Sequence, residues 1–159
     1  MNGPLSFYFS ESELERIKDA VSEAESGTSG EIRVVIAQDC DSDLPESEPE
    51  KRVYGQALRE FVKHGLTETR DRTGVLVLLV MNERRFQILA DAGINEKFAQ
   101  EEWDELSRRA SLFFRRGSFT DGVCFLVREM GRKLSAFFPR KPDDTNELAD
   151  DVILEGGGR

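Results

Sequence analysis

Apolar side chains recur along this sequence with two kinds of spacing, and the order of the two spacings predicts the order of structural elements. Where apolar residues return every three or four positions, the pattern is typical of one buried face of a helix. Where they alternate or follow one another without a break, the pattern is typical of strands covered on one face or on both. The sequence therefore predicts a helix, a strand, a helix, two strands and two further helices.

Four regions with the helical spacing have recognisable start or stop signals. Ser10 stands three residues before Glu13, which is the spacing of a capping box, so the first helix is predicted to begin there. Glycine or proline follows each helical pattern, and these residues commonly mark where helices end. The helices are predicted to end near residues 26, 65, 116 and 138.

Three regions are predicted to be strands. Residues 31–38 and 73–81 are apolar on both faces, which indicates central strands with a helical layer on each side of the sheet. Residues 84–90 are fully apolar on one face only, which favours a position at or near the edge of the sheet.

The predicted fold belongs to the α/β class. A buried strand, a crossover helix and a second buried strand imply a right-handed parallel unit. A turn at Asn82 and Glu83 makes the third strand antiparallel to the second, and its register sets Gly74 opposite Asp91. The expected architecture is a three-layer α/β/α sandwich, in which a small mixed sheet, a parallel crossover plus an antiparallel hairpin, is flanked by helices.

Composition divides the chain into two parts. Residues 1–139 carry all the predicted elements and are expected to form a single domain. Residues 140–159 are acidic and glycine-rich at the end, a composition too polar to offset the entropy lost on ordering. They are expected to form a flexible C-terminal tail.

The charge balance argues against several classes of partner. The chain has 31 acidic and 22 basic residues, a formal net charge of -9, and this field repels nucleic acids and anionic membrane surfaces. The longest apolar run, residues 75–81, is far shorter than the roughly 20 residues of a membrane-spanning helix, so no direct membrane insertion is expected. Residues 1–10 lack the pattern of a signal peptide, and the chain as given is expected to be cytoplasmic.

An acidic loop after the first strand has the spacing of a calcium-binding loop. Asp39, Asp41, Asp43 and Glu50 occupy positions one, three, five and twelve of such a loop. Leu44 stands where the loop normally has glycine, and its side chain disfavours the left-handed turn required there. Ion binding and a solvated acidic loop both stay open, and Leu44 favours the second.

A second acidic group is expected where the open end of the hairpin meets the third predicted helix. The hairpin register brings Asp71 and Asp91 toward the start of that helix, which carries Glu101 and Glu102. Calcium and magnesium need several oxygen ligands, which converging segments can supply. The group is therefore a candidate site for calcium or magnesium. The alternative is that Asp91 serves only turn and helix-cap chemistry.

The sequence carries no recognised catalytic signature. Its one histidine, His64, stands at the end of the second helix, where a surface or capping role is expected. Cys40 and Cys124 are far apart and are interpreted as free, partly buried thiols. There is no Gly-x-Ser-x-Gly elbow, no Walker loop and no dinucleotide-binding glycine motif. The arginine pairs at residues 108–109 and 115–116 are interpreted as solvating the outer face of the third helix, with binding of an anionic group as the alternative.

Three stretches of the sequence resemble motifs of the TPM domain family. They lie at the first strand, along the hairpin and between the last two helices, at residues 28–34, 73–95 and 117–122. The Phe-Phe-Pro sequence at residues 137–139 and the residues 144–148 are similar to the short, soluble bacterial branch of that family. The resemblance implies an α/β/α sandwich, and it associates the fold with a weak acid phosphatase activity in a plant member and with calcium binding in some bacterial members.

The residues and the resemblance together leave three functions open. The first is a non-catalytic binding or interaction module for a protein partner. The second is metal-assisted hydrolysis of phosphomonoesters at Asp71, Asp91 and Glu102, where a divalent cation would offset the repulsion between a phosphate and this acidic surface. The third is calcium binding without catalysis. Arg72 stands where many members of the family carry asparagine, and the sequence leaves the oligomeric state open.

Overall fold

The computed structural model describes residues 4–142 and 152–156 of the chain. The helices are α1 (Glu11–Ser26), α2 (Pro49–Lys63), α3 (Ala92–Asn95), α4 (Gln100–Arg115) and α5 (Phe119–Phe137). The strands are β1 (Glu31–Ala37), β2 (Gly74–Val80), β3 (Arg85–Ala90) and β4 (Ile153–Glu155). The third and fourth helices predicted from the sequence are α4 and α5, because the short α3 was not predicted. None of these helices has both the length and the apolar composition needed to cross a membrane.

The strands form one mixed sheet in the order β3-β2-β1-β4. β1 runs parallel to both β2 and β4, and β3 runs antiparallel to β2. Helix α2 covers one face of the sheet, and α1, α4 and α5 cover the other. The predicted three-layer α/β/α sandwich is confirmed, including its parallel crossover and its antiparallel hairpin.

Alternate side chains of the central strands enter two separate cores. Every residue of β1 and β2 is buried. Val34 belongs to the core shared with α1, α4 and α5, whereas Leu78 belongs to the core under α2. Both strand faces are therefore covered, which is the physical cause of the continuous apolar runs in the sequence. Leu5 and Phe9, which precede α1 and lie in no predicted element, complete the larger core.

The register of the hairpin was predicted correctly. The amide of Asp91 donates a 2.9 Å hydrogen bond to the carbonyl oxygen of Gly74. At the other end, the amide of Arg84 donates to the carbonyl oxygen of Met81 at 3.1 Å and closes the turn. Arg84 adopts a left-handed φ of 53° there. The turn end of the hairpin therefore presents an arginine side chain in a fixed backbone conformation.

Strand β4 was not predicted from the sequence. It lies within the segment expected to be a flexible tail and pairs in parallel with the end of β1. The amide of Gln38 donates a 2.9 Å hydrogen bond to the carbonyl oxygen of Glu155. The strand is only three residues long and follows an acidic stretch, so its local pattern is too weak to indicate a strand. The domain boundary at residue 139 stays a prediction, because residues 143–151 lie outside the described residues.

Candidate functional site

Asp91, the central residue of the second predicted acidic group, is bound by an arginine and a helix cap. Its side chain is only 8% exposed. Arg72 donates from Nε to Oδ2 and from Nη2 to Oδ1, each at 3.0 Å. The amide of Ala92 also donates to Oδ1, at 2.7 Å, so Asp91 caps α3. The cap role that the sequence left open is therefore present, and a guanidinium group already neutralises the carboxylate.

The glutamates of this group lie in the first turn of α4 and make other contacts. Glu102 accepts a 3.0 Å hydrogen bond from the amide of Ala99 and lies 3.4 Å from the Lys133 ammonium group. Glu101 is exposed. Asp71 lies 3.8 Å from the Arg70 guanidinium group, and its carboxylate is not part of any described cluster of three metal-ligating side chains. Metal binding by Asp71, Asp91, Glu101 and Glu102 stays a prediction.

The calcium-like loop is also paired with cations of the protein itself. Arg59 bridges Asp41 and Asp43 with hydrogen bonds of 2.8 to 2.9 Å. The Arg59 guanidinium lowers the pKa of the Asp43 carboxyl. Asp39 accepts from the side-chain amide of Asn82 at 2.7 Å. Glu50 extends into solvent 3.6 Å from Arg85. Ion binding in this loop stays a prediction, and an ion would compete with Arg59 for Asp41 and Asp43.

Removing the Arg72 side chain is expected to make the domain less resistant to acid. Burial alone would raise the pKa of Asp91, but its hydrogen bonds with Arg72 and the Ala92 amide outweigh burial and lower that pKa. A carboxyl with a lowered folded-state pKa stabilises the fold above its unfolded pKa, and this stability is lost as pH falls through the folded pKa. In Arg72→Ala the pKa of Asp91 rises, so acid unfolding followed by circular dichroism should begin at higher pH.

Arg108→Ala is the matched control for this acid titration. It removes an arginine from an exposed pair with Glu105 on α4, and exposed pairs contribute little to stability. Its acid transition should coincide with that of the parent protein. Coincident transitions for Arg72→Ala and the parent would contradict the stabilising role assigned to the pair with Asp91.

A cluster of three metal-ligating side chains joins α2 to β4, and no pattern in the sequence predicted it. Nε2 of His64 lies 2.9 Å from Oε1 of Glu60 and 3.2 Å from Oε2 of Glu155. Gln56 donates to the other oxygen of Glu60 at 2.8 Å, and Lys63 donates to Glu155 at 2.7 Å. Glu60 and His64 are four residues apart in sequence, but Glu155 is distant and belongs to the unpredicted strand.

The environment of this cluster shifts the pKa values of its two carboxyl groups in opposite directions. Burial raises the pKa of Glu60, and its contact with Glu155 raises it further. Burial would also raise the pKa of Glu155, but hydrogen bonds with Glu60 and Lys63 lower it. A proton is therefore held on Glu60 more readily than on Glu155.

Neither cysteine is arranged as a nucleophile. Cys40 and Cys124 are both free and buried. Burial raises the pKa of the Cys40 thiol to about 11 and also raises the pKa of Cys124. The reactive form of cysteine is the thiolate, which these pKa values disfavour near neutral pH. The hydrogen bonds of the His64 ring go to carboxylates, so no thiol is paired with it as a base.

A groove of about 880 Å³ opens at the turn end of the β2–β3 hairpin. It lies between that turn, the end of α4, the start of α5 and the segment before α1. We call it the aromatic–arginine groove, after the lining residues Tyr8, Phe86, Phe114, Phe119, Arg84, Arg85 and Arg115. Its volume falls in the range of about 300 to 1,000 Å³ that is usual for ligand-binding pockets.

The aromatic rings of the groove form one connected wall. The ring centroids of Phe86 and Phe114 are 5.0 Å apart, and those of Tyr8 and Phe119 are 5.7 Å apart at right angles. Phe114 and Phe119 stack at 6.4 Å and join the two pairs. All four residues are half-buried. The rings hold one another in place, while part of each remains accessible to a ligand.

Three arginines and one carboxylate, Glu50 of α2, line the groove, so its charged lining residues are positive on balance in an otherwise acidic protein. Arg85 has a distant partner in Glu50, at 3.6 Å, and Glu50 is 87% exposed. Arg84 and Arg115 are exposed and have no ion pair within residues 4–142 and 152–156. Their guanidinium groups keep their capacity to bind an anionic partner. The sequence favoured a solvated position for Arg115, with anion binding as the alternative, and gave no signal that Arg84 lines the same groove.

The neighbouring edge of the sheet is partly covered by side-chain amides. Gln87 donates to the carbonyl oxygen of Ile88 at 3.0 Å, and Asn95 donates to that of Ala90 at 2.8 Å. Both carbonyls belong to β3, the outermost strand on this side. Covering the polar groups of an edge strand opposes the addition of a strand from another chain. The aromatic–arginine groove is therefore the better candidate surface for a ligand.

A mixed four-stranded sheet lies between helix α2 on one face and helices α1, α4 and α5 on the other. This arrangement defines the protein as a small α/β/α sandwich domain. Its recognisable features are the β2–β3 hairpin, the loop that pairs Arg72 with Asp91, and the helices α4 and α5. The chain belongs to the TPM domain family, whose model matches residues 7–133. None of the curated proteins compared with the chain matches it.

Solved structures with the same fold support this assignment. The NMR structure of the BA42 protein from the psychrophilic bacterium Bizionia argentinensis is 30% identical, with a TM-score of 0.80, over 94% of this chain and 96% of that one. The N-terminal domain of a protein from P. gingivalis is 17% identical, with a TM-score of 0.65, over 82% and 79% of the two chains. The N-terminal domain of the cg2496 protein from Corynebacterium glutamicum is 14% identical, with a TM-score of 0.57, over 93% and 82%. The last two share the fold alone.

Proposed function

We propose that this TPM domain is a non-catalytic binding module that takes up an acidic segment of a partner protein in the aromatic–arginine groove. One observation carries the proposal: four half-buried aromatic rings stand beside two arginines that have no ion pair among the described residues. Aromatic side chains and arginine are enriched where protein interfaces gain most of their binding energy.

The two kinds of side chain have complementary tasks. The partly exposed faces of Phe86, Phe114 and Phe119 bury apolar side chains of the partner. Arg84 and Arg115 bind its carboxylates with planar, bidentate geometry. With a formal net charge of -9, the protein as a whole repels an acidic partner, so attraction depends on local cations such as the arginines that line the groove. Charge therefore directs the partner to one surface.

A partner in the groove does not need to extend the sheet. The side-chain amides of Gln87 and Asn95 occupy the carbonyls of β3 at Ile88 and Ala90. A peptide that paired along β3 would have to displace both amides. We expect contacts with the side chains at the turn end of the hairpin instead.

The contacts of the acidic residues favour this function over the two alternatives, phosphatase activity and calcium binding. Both alternatives need carboxylates that are available to a cation. The carboxylate of Asp91 accepts two hydrogen bonds from Arg72 and one from the Ala92 amide. Arg59 likewise bridges two of the aspartates in the calcium-like loop. A cation would therefore have to break charged hydrogen bonds before it could bind at either place.

The test is a selection of random peptides displayed on phage against the folded, immobilised protein. We expect the selected peptides to combine acidic with aromatic or aliphatic residues. Their affinity, measured by fluorescence anisotropy, should fall at least about tenfold in the double variant Arg84→Glu and Arg115→Glu, because each lost charged hydrogen bond weakens binding by roughly 1.5 to 3 kcal/mol. Affinity should also fall with added salt.

Arg128→Glu is the matched control, because Arg128 is an exposed arginine of α5 outside the groove. This variant makes the same change of charge and should bind the peptides like the parent. Failure to select any acidic peptide, or an equal loss in both variants, would overturn the proposal. So would hydrolysis of an aryl phosphate that requires magnesium or calcium and disappears in Asp91→Asn.

A further inference from the structure

Helix α2 and strand β4 place three metal-ligating atoms in one small volume. Glu60 lies in the last turn of α2 and His64 caps the helix one turn later, so their side chains lie on the same side. Glu155 reaches them from β4, 91 residues further along the chain. The ligand atoms all lie within 4.8 Å of one another, and no other such group occurs in residues 4–142 and 152–156.

The separations from the His64 nitrogen are close to those around a tetrahedral metal ion and slightly shorter. Metal–ligand bonds of about 2.0 to 2.2 Å in tetrahedral geometry put neighbouring ligand atoms about 3.3 to 3.6 Å apart. Nε2 of His64 is 2.9 Å from the Glu60 oxygen and 3.2 Å from the Glu155 oxygen. Outward movements of a few tenths of an ångström would admit an ion.

The burial and hydrogen bonding of Glu60 resemble those of ligands in known metal sites. Glu60 is 1% exposed, and a buried carboxylate is costly unless it is paired or coordinates a metal. Gln56 donates to its second oxygen at 2.8 Å, which leaves Oε1 directed toward His64. Contacts of this kind orient the ligands in known metal sites and raise their affinity for the ion. Gln56 thus supports the three ligands through a hydrogen bond to Glu60.

The donor set selects the kind of ion. One imidazole nitrogen and two carboxylate oxygens suit zinc and its neighbours among the divalent transition metals. Calcium and magnesium prefer sets made entirely of oxygen. This cluster therefore differs in chemistry from both acidic groups considered above.

The geometry points to a zinc-class site with Glu60, His64 and Glu155 as the three protein ligands and a fourth position open to water or another ligand. Because the ligands come from α2 and β4, the ion would fasten the C-terminal strand to the domain. Binding of the ion releases a proton where a ligand is protonated. The site shares no residue with the aromatic–arginine groove, so the two proposals stand or fail independently.

Replacing Lys63 should change the zinc affinity in the opposite direction from replacing a ligand. Its ammonium group lies 2.7 Å from Oε2 of Glu155, where it competes with the ion, and its side chain is 60% exposed. Removing this cation should make the site bind zinc more tightly. A polar network with no metal-binding role predicts no such gain.

The experiment is a calorimetric titration of zinc into the metal-free full chain. We expect one ion per chain. His64→Gln and Glu155→Gln should each weaken binding at least about tenfold, whereas Lys63→Ala should strengthen it. Both ligand variants change half-buried side chains, so they avoid the folding risk of replacing buried Glu60. Asp41→Asn with Asp43→Asn is the matched control for acidic residues and should bind zinc like the parent.

Two further measurements use the same samples. Cobalt in place of zinc should give the visible absorption of a tetrahedral site, and His64→Gln should abolish it. Zinc at about 100 times its Kd should raise Tm by about 5 to 10 °C and slow hydrogen exchange of the Gln38 amide, which donates to Glu155. No heat of binding at millimolar zinc, or equal binding by the parent and both ligand variants, would overturn the site.

Discussion

Replacing Gly93 with alanine is expected to lower the free energy of unfolding by about 3 kcal/mol. A Cβ atom at this position would lie 2.6 Å from the carbonyl oxygens of Asp71 and Arg72. Both are backbone atoms, and the amide of Gly93 donates to the Arg72 carbonyl at 3.0 Å. The two segments therefore cannot separate without losing this hydrogen bond. Urea unfolding of the variant measures the loss directly.

Gly27→Ala is the matched control for this substitution. The nearest heavy atoms to a Cβ at Gly27 are 3.9 Å away, which is an ordinary contact distance. The change in the free energy of unfolding should stay within about 0.5 kcal/mol. Equal stabilities of the Gly93 and Gly27 variants would show that the loop before β2 does not approach the start of α3 as closely as described.

Leu78→Ala is expected to destabilise the domain by about 2 to 5 kcal/mol. Leu78 is fully buried in the centre of β2, in the core between the sheet and α2. Truncation removes the apolar contacts and leaves a cavity, because strands on both sides prevent the site from closing. Thermal or urea unfolding gives the difference from the parent protein.

Leu58→Ala provides the same chemical change at the surface of α2. Leu58 is 45% exposed, so little of its contact area is lost and no closed cavity forms. We expect a change within about 1 kcal/mol. If the two leucine variants lost equal stability, the position of β2 at the centre of the sheet would be contradicted.

The central sheet could be predicted because its signal is local and strong. Residues 31–38 and 73–81 are apolar on both faces, and two covered faces leave few arrangements other than central strands. The turn predicted at Asn82 and Glu83 then fixed the register, which correctly sets Gly74 opposite Asp91. The two central strands and the register of the hairpin therefore depend on residues that are neighbours in the sequence.

The elements that escaped prediction depend on distant neighbours. β4 is three residues long, and its pairing with β1 is formed by residues more than 100 positions apart. Leu5 and Phe9 fill the larger core from a segment with no helical or strand pattern. A short apolar stretch has no local property that distinguishes a core contact from an exposed end.

The candidate sites likewise combine features set by neighbours in sequence with features set by distant residues. The hairpin register correctly brought Asp91 to the loop that holds Asp71, but the bidentate pairing with Arg72 depends on the left-handed φ of 58° at Arg72. His64 was expected to have a surface or capping role, and it does form the C-cap of α2. Its contact with Glu60 is local, whereas its contact with Glu155 required the unpredicted strand. Residue types were visible in the sequence, whereas their groupings depended on the complete fold.

The proposed binding surface of this domain is the aromatic–arginine groove. The most direct test is a ¹H–¹⁵N NMR titration of the ¹⁵N-labelled protein with a selected acidic peptide. We predict that the largest chemical-shift changes fall on the amides of the hairpin turn and the junction between α4 and α5, including Arg84, Phe86, Arg115 and Gly117. Changes concentrated instead around Asp91 or in the loop of Asp41 and Asp43, with the groove unperturbed, would contradict the claim.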